Sequence, residues 1–105
     1  MRFNFIQAYF RDRPLVEVLD HLSEETGISI IVDARVRQKA QLAITARFNR
    51  DVNLRDALRI LTDMADLKVV ILETGIYVTT PKRASVMEKE LRKAKKASAV
   101  PTTSP

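Results

Sequence analysis

The side chains that could do acid–base or nucleophilic chemistry are few in this sequence. His21 is the single histidine, and there is no cysteine. An imidazole serves as a catalytic base when it stands beside a nucleophile and a group that orients it. His21 instead stands beside Asp20, close to the apolar stripe of a predicted helix, with Glu24 and Glu25 one turn further on. We therefore expect His21 to be a surface or boundary residue, and Glu24 and Glu25 to be solvated charges.

Motifs that bind cofactors or form known catalytic sites are missing from the sequence. It contains no G-x-G-x-x-G, no P-loop and no G-x-S-x-G pattern. The absence of cysteine excludes disulfides and cysteine-based zinc sites, and a single histidine excludes a His-rich metal site. We predict that the chain is not an enzyme and that it uses no cofactor and no metal.

Basic side chains concentrate towards the C-terminus. The 105 residues carry a formal net charge of +5. Residues 1–81 contain eleven basic and eleven acidic side chains, whereas residues 82–105 contain seven basic and two acidic ones. Such a run is either a solvated helix surface or a contact for anionic lipid or nucleic acid. The residues that would make this contact are Lys89, Arg92, Lys93, Lys95 and Lys96.

A second candidate surface is aromatic. Apolar and polar residues alternate over residues 6–10, which predicts a strand. Its opposite face would then carry Phe5 and Tyr9, with Phe3 in line. Exposed apolar patches often bind partners, here another protein or a second copy, although another strand or the C-terminal helix could also cover this face. Because the aromatic residues are not interleaved with basic ones, the sequence disfavours nucleic-acid binding by residues 1–81.

The elements that position these groups follow from apolar periodicity. It predicts an α+β fold in the order β-α-β-β-α-β-β, with Pro14 in the first turn of the first helix and Gly27 ending that helix. Asn53 is the predicted N-cap of the second helix, and Gly75 is expected at positive φ in the last hairpin. The predicted strands cover residues 6–11, 28–32, 42–48, 68–73 and 76–80, with a polar connection over 33–39. The predicted buried face of the second helix consists of Leu54, Ala57, Leu58, Leu61, Met64 and Ala65.

An internal repeat relates the two halves of this pattern at an offset of 39 residues. Leu15 corresponds to Leu54, and Leu19 to Leu58. Gly27 corresponds to Asp66, and aspartate is one of the few other residues that tolerate a left-handed backbone. Each strand–helix–strand half leaves an apolar face that it cannot bury alone, so the halves are expected to pack together, with two helices between two small sheets.

The C-terminal part has the composition of a basic helix followed by a linker. Ser85 and Glu88 have the spacing of a capping box, and Met87, Leu91 and Ala94 form a thin apolar stripe. The composition after residue 97 is typical of a flexible tail or linker. We therefore predict a domain over residues 1–81, a basic amphipathic helix over 82–97 that is not part of the fold, and a flexible tail over 98–105.

The order and spacing of several motifs resemble those of one protein family. They are Phe10-Arg-Asp-Arg-Pro14-Leu15 with Val18-Leu19, Glu25-Thr26-Gly27-Ile28 through Val32-Asp-Ala-Arg-Val36, Leu54-Arg-Asp-Ala57-Leu58, Lys68-Val69 and Gly75-Ile76-Tyr77-Val78. Over residues 6–80 the chain is similar to the secretin and TonB short N-terminal domain. The loop over residues 49–53 is longer than the short connection of that family.

The resemblance implies a fold, a role and a compartment. The fold would be two helices sandwiched between two small sheets, and the role a non-catalytic protein–protein interaction in the bacterial cell envelope or periplasm. No catalytic residues are implied by it. The sequence has no signal peptide and no apolar run of the length that spans a bilayer, so a cytoplasmic location stays open.

Overall fold

Residues 5–99 form three α-helices and two small β-sheets. The computed structural model describes these residues, apart from the side chains of residues 50, 51 and 95–99. The predicted α+β class is confirmed. In chain order the elements are β1 Phe5–Pro14, α1 Leu15–Thr26, β2 Ile30–Val32, β3 Ala43–Asn53, α2 Leu54–Met64, β4 Lys68–Ile71, β5 Ile76–Thr79 and α3 Pro81–Ala99. Two short 3-10 turns, Ala34–Val36 and Lys39–Gln41, join β2 to β3. No helix in the described range is long and apolar enough to cross a membrane.

The first sheet is an antiparallel pair formed by β1 and β3. Its ladder reaches from Pro14 opposite Ala43 to Phe5 opposite Asn53. The predicted loop over residues 49–53 is therefore wrong, because β3 continues through it to Asn53 and Val52 and Asn53 pair with β1. The register shifts at two points, between Ile6 and Ala8, opposite residues 49–51, and between Phe10 and Arg13. At the second shift Asp12 has a φ of 54°, and its N–H donates to Thr45 Oγ1 at 2.9 Å.

The second sheet has the strand order β2-β5-β4, with β2 parallel and β4 antiparallel to β5. The hairpin between β4 and β5 closes through the Leu72 N–H, which donates to the Gly75 carbonyl oxygen at 2.8 Å. Gly75 has a φ of 156°, positive as predicted. The strand predicted over residues 28–32 is shorter, since only Ile30–Val32 pairs with β5.

Both α1 and α2 contact both sheets, and the core lies between these layers. Helix α1 contacts β1 and β2, whereas α2 contacts β3 and β4. The predicted helix faces are buried except for Met64, which is exposed because it stands in the last turn of α2, while Thr62 is buried instead. Leu42, the first residue of the predicted strand over 42–48, is exposed and lies outside the strand, since β3 begins after it. The largest fully buried side chains are Leu15, Leu19, Leu22, Ile44, Leu58, Leu61 and Leu67.

The ends of α1 and α2 agree with local sequence signals at three of four points. Asn53 Oδ1 accepts from the Arg55 N–H at 2.8 Å, which is the predicted N-cap. Gly27 ends α1 with a φ of 74°, and Asp66 follows α2 with a φ of 61°. Pro14, however, is not in the first helical turn. Its ψ of 140° is extended because it still pairs with Ala43, so α1 begins at Leu15.

Helix α3 begins at a different cap from the one predicted. The Thr80 hydroxyl accepts from the Arg83 N–H at 3.0 Å and Pro81 is the first helical residue, so Ser85 and Glu88 lie inside the helix. Helix α3 contacts β4, and both Ala84 and Val70 are buried outside the main core. The expectation that the basic helix stands apart from the fold is therefore wrong for its first turns. Residues 100–105 of the predicted flexible tail lie outside the described range.

Candidate interaction surfaces

His21 is an exposed residue of α1 with a charged and an aromatic neighbour. Its Nε2 lies 3.4 Å from Glu25 Oε1 one turn away, and its ring meets Phe10 edge-on with 5.5 Å between ring centroids. A shallow cleft of about 300 Å³ between β1 and α1 contains both His21 and Glu25, and no serine, threonine or cysteine lines it. Among the described side chains, no three acidic or histidine residues come together as a metal site would require.

The predicted aromatic surface is exposed on the outer side of the first sheet. Phe5 is 60% and Tyr9 53% exposed, whereas Ile6 and Phe10 point inwards and are buried. The Arg47 guanidinium on β3 stacks over the Tyr9 ring, with 4.5 Å from its carbon to the ring centre. Neither another strand nor α3 covers these rings within residues 5–99, and Phe3 lies outside that range. The exposed set Phe5, Gln7, Tyr9, Arg11 and Arg47 is called the aromatic face below.

The strand that carries most of the aromatic face also has an open edge. In the described range β1 pairs only with β3, so its other edge presents unpaired backbone N–H and C=O groups. The ladder to β3 shifts register at two points. Between Ile6 and Ala8 the extra residues belong to β3, so the β1 backbone itself continues, whereas the shift after Phe10, where Asp12 of β1 has a positive φ, limits the edge to Phe5–Phe10. A partner strand could therefore add to about six residues of β1.

A groove between α2, β4 and α3, lined by both apolar and polar side chains, forms a further surface that the sequence alone did not predict. It has a volume of about 790 Å³, and its walls include Ile60 and Met64 of α2 and Pro81 of α3. Ile60 is 49% exposed and lies off the buried stripe of its helix. An isolated isoleucine on the polar side of a predicted helix is the one sequence feature that points to this groove. The groove itself forms only when α2, β4 and α3 come together in the fold.

The segment predicted as a polar connection contains a buried carboxylate. Asp33 Oδ2 accepts from Thr79 Oγ1 at 2.7 Å, and Oδ1 accepts from the Arg35 N–H at 3.0 Å. Val36 of the same segment, and Ala40 directly after it, are also buried, so the connection predicted over residues 33–39 is not polar throughout. The Arg35 N–H, and after it the Thr79 hydroxyl, hold the pKa of Asp33 below its usual value, while burial and the Asp33 charge raise the pKa of Tyr77. This network joins the β2–β3 connection to the end of β5, next to the cap of α3.

The Asp33–Thr79 hydrogen bond predicts a pH-dependent contribution to stability. Because the pKa of Asp33 is lowered on folding, its ionised form stabilises the fold above about pH 4, and this contribution is lost as the pH falls through the folded-state pKa. Thr79→Val should therefore destabilise the chain at pH 7 and much less at pH 3, in urea denaturation at both pH values.

Thr62→Val is the matched control, because Thr62 is equally buried but donates to the neutral Leu58 carbonyl at 2.7 Å. Thr62→Val should lower the free energy of unfolding by about 1 kcal/mol at both pH values. Thr79→Val should lower it by more than this at pH 7. A loss for Thr79→Val that does not change with pH would contradict the role of the Asp33 charge.

The predicted basic residues of α3 are exposed and unpaired among the described side chains. Lys89, Arg92 and Lys93 are exposed, and no described ion pair involves α3. The side chains of Lys95 and Lys96 lie outside the described set.

Comparison of the chain with protein-family models, with curated proteins and with solved structures gives no match. Its function must therefore be inferred from its own surfaces.

Proposed function

We propose that the chain is a non-catalytic protein–protein interaction module of the bacterial cell envelope, of the secretin and TonB short N-terminal type. The motif order and spacing over residues 6–80 support this family. The pattern of two strand–helix–strand halves supports it further, since α1 and α2 each contact both sheets. A domain of this kind acts by docking, and the inference for this chain depends on the aromatic face beside the open edge of β1.

The proposed duplication of the two halves has support from element boundaries. At an offset of 39 residues, the start of α1 at Leu15 corresponds to the start of α2 at Leu54. The left-handed Gly27 corresponds to the left-handed Asp66. Two independent backbone features therefore recur at one spacing, which is what a duplicated strand–helix–strand unit would produce.

The occupant that we infer for the open edge is a second copy of the chain. Antiparallel pairing of two β1 strands about Gln7 would place Phe5 of each copy opposite Tyr9 of the other. Directly opposed aromatic residues are favourable cross-strand pairs. The same pairing keeps the two Arg11 side chains at opposite ends of the interface, so their like charges do not meet. Both copies would also satisfy the backbone groups of their open edges.

Sedimentation velocity of the full chain between 10 μM and 1 mM would test this docking mode. The parent chain should dimerise over this range, because strand pairing adds backbone hydrogen bonds to the aromatic contacts. Phe5→Ser combined with Tyr9→Ser should weaken dimerisation at least tenfold while the far-UV circular dichroism stays unchanged, since both side chains are exposed.

The matched control is Ile60→Ser combined with Met64→Ser, which removes comparably exposed apolar side chains from the groove. This control should dimerise like the parent chain. A parent chain that stays monomeric at 1 mM, or a control that dissociates as readily as the β1 variant, would overturn docking through β1. Unfolding of the Phe5→Ser, Tyr9→Ser variant would show instead that these rings belong to the core.

A further inference from the structure

One side of α3 faces directly away from the domain. Ala84 is buried and Met87 half-buried, and together they mark the side of the helix that packs towards β4. Successive residues of an α-helix are about 100° apart around its axis. This rotation places Lys82, Lys89 and Lys93 on the opposite side, where the domain obstructs no approaching surface.

This outward face carries three lysines around one apolar residue, with Glu90 at its border. It consists of Lys82, Val86, Lys89 and Lys93, which follow one another by four, three and four positions and span about 16 Å along the helix. Glu88 and Glu90 lie on the flanks of the helix, between the outward face and the packed side. No described ion pair engages the three lysines. Because residues 1–81 are electrically balanced, the net positive charge of the chain lies in residues 82–105, which include this face.

We propose that this outward face binds an anionic phospholipid surface, with α3 lying in the plane of the headgroups and the domain in water. Lysines around an apolar residue suit the boundary between headgroups and acyl chains, where the ammonium groups reach the phosphates and Val86 enters the apolar layer. Val86 is 40% exposed in the free chain, so it is available for this contact.

The composition of the outward face disfavours nucleic acid as its ligand. Its lysines could contact the phosphates of a nucleic acid as well as those of a lipid. The face has no aromatic ring on which a single strand could stack, however, and a sugar–phosphate backbone offers Val86 no apolar surroundings. An anionic bilayer surface can contact all four residues of the outward face.

Binding should be reversible and sensitive to salt, because charge supplies most of the attraction. Each basic residue near an anionic membrane raises partitioning by roughly fivefold. The three lysines together therefore account for about a hundredfold. Val86 is a small side chain and should add only a few-fold. Screening shortens the range of the attraction as ionic strength rises, so binding should fall steeply between 50 mM and 500 mM salt.

The test is co-sedimentation of the full chain with vesicles of phosphatidylcholine containing 30% phosphatidylglycerol, and with pure phosphatidylcholine vesicles. The parent chain should bind only the anionic vesicles, at 50 mM salt. Lys82→Gln, Lys89→Gln and Lys93→Gln combined should reduce partitioning about a hundredfold, and Val86→Ser alone a few-fold. Far-UV circular dichroism would verify that α3 persists in both variants.

A matched control removes three charges from the domain through Arg37→Gln, Arg55→Gln and Arg59→Gln, all at exposed positions. It should bind vesicles like the parent chain. Equal losses in control and α3 variant would overturn the proposal in favour of net charge alone. Binding to a 20-nucleotide DNA duplex but not to anionic vesicles would overturn it in favour of nucleic acid. Dimerisation through β1 should be unchanged in the α3 variant, so this proposal and the β1 docking mode can fail separately.

Discussion

Replacing Leu58 by alanine is expected to lower the free energy of unfolding by about 3–4 kcal/mol. Leu58 is fully buried in the core that α2 shares with both sheets. The truncation removes apolar contacts and leaves a cavity that the surrounding elements can fill only partly. For a domain of this size, such a loss is a large share of the total stability. Urea denaturation followed by far-UV circular dichroism measures the change directly.

Two comparisons sharpen this prediction. Ile60→Ala on the same helix should cost under about 1 kcal/mol, because Ile60 is half exposed to begin with. Leu19→Ala, at the corresponding position of the other half, should cost as much as Leu58→Ala, and each variant should unfold in a single transition. Two separate transitions would contradict a single core shared by the two halves. Similar losses for Ile60→Ala and Leu58→Ala would contradict the assigned burial.

Features set by neighbours in sequence were predictable. Asn53 caps α2 through the Arg55 N–H two residues on, and Gly27 ends α1 in a left-handed conformation. The helix faces follow from apolar residues at helical spacing, and the class of the fold follows from the number and type of these segments. The left-handed backbone at Asp66 was also accessible, because the repeat places it at the position of Gly27.

Features set by distant partners were not predictable. Residues 49–53 look like a loop in sequence, but β1 is long enough to pair with Val52 and Asn53 at their far end, so β3 continues through them. Pro14 looks like a first helical residue, but its pairing with Ala43 keeps it extended. Asp33 looks like a loop residue, yet its hydroxyl partner Thr79 is 46 residues away. No local pattern contains these pairings.

The candidate surfaces also differ in whether local sequence patterns or distant contacts define them. Phe5 and Tyr9 were identified because alternation on one strand already decides which side chains share a face. Helical spacing alone aligns Lys89 with Lys93, but the capping-box spacing of Ser85 and Glu88 does not group Lys82 with them, because the cap that starts the helix is Thr80. The orientation of α3 depends on the burial of Ala84 against the rest of the fold, which only the structure reveals. Thus, the outward face could be defined only after α3 was placed on β4.

Gly75→Ala is the second substitution with a large expected effect, about 2–3 kcal/mol of destabilisation. A Cβ atom at Gly75 would lie 2.5 Å from the Ser29 carbonyl oxygen and 2.9 Å from the Ser29 Cβ. The same oxygen accepts from the Ile76 N–H at 2.8 Å, where β5 begins to pair with β2. The added methyl group must therefore push backbone away from backbone, which no side-chain rotation can relieve.

Gly27→Ala is the control that separates this clash from backbone conformation. Gly27 has a φ of 74°, but a Cβ there would meet no atom within 4 Å. Gly27→Ala should lower the free energy of unfolding by only about 1 kcal/mol, because alanine disfavours a left-handed backbone conformation. Urea denaturation should rank Gly75→Ala as the more destabilising, and amide hydrogen exchange should show lost protection at Ile76. Equal losses at the two glycines would mean that Ser29 moves aside easily, and that the junction of β2 and β5 is not closely packed.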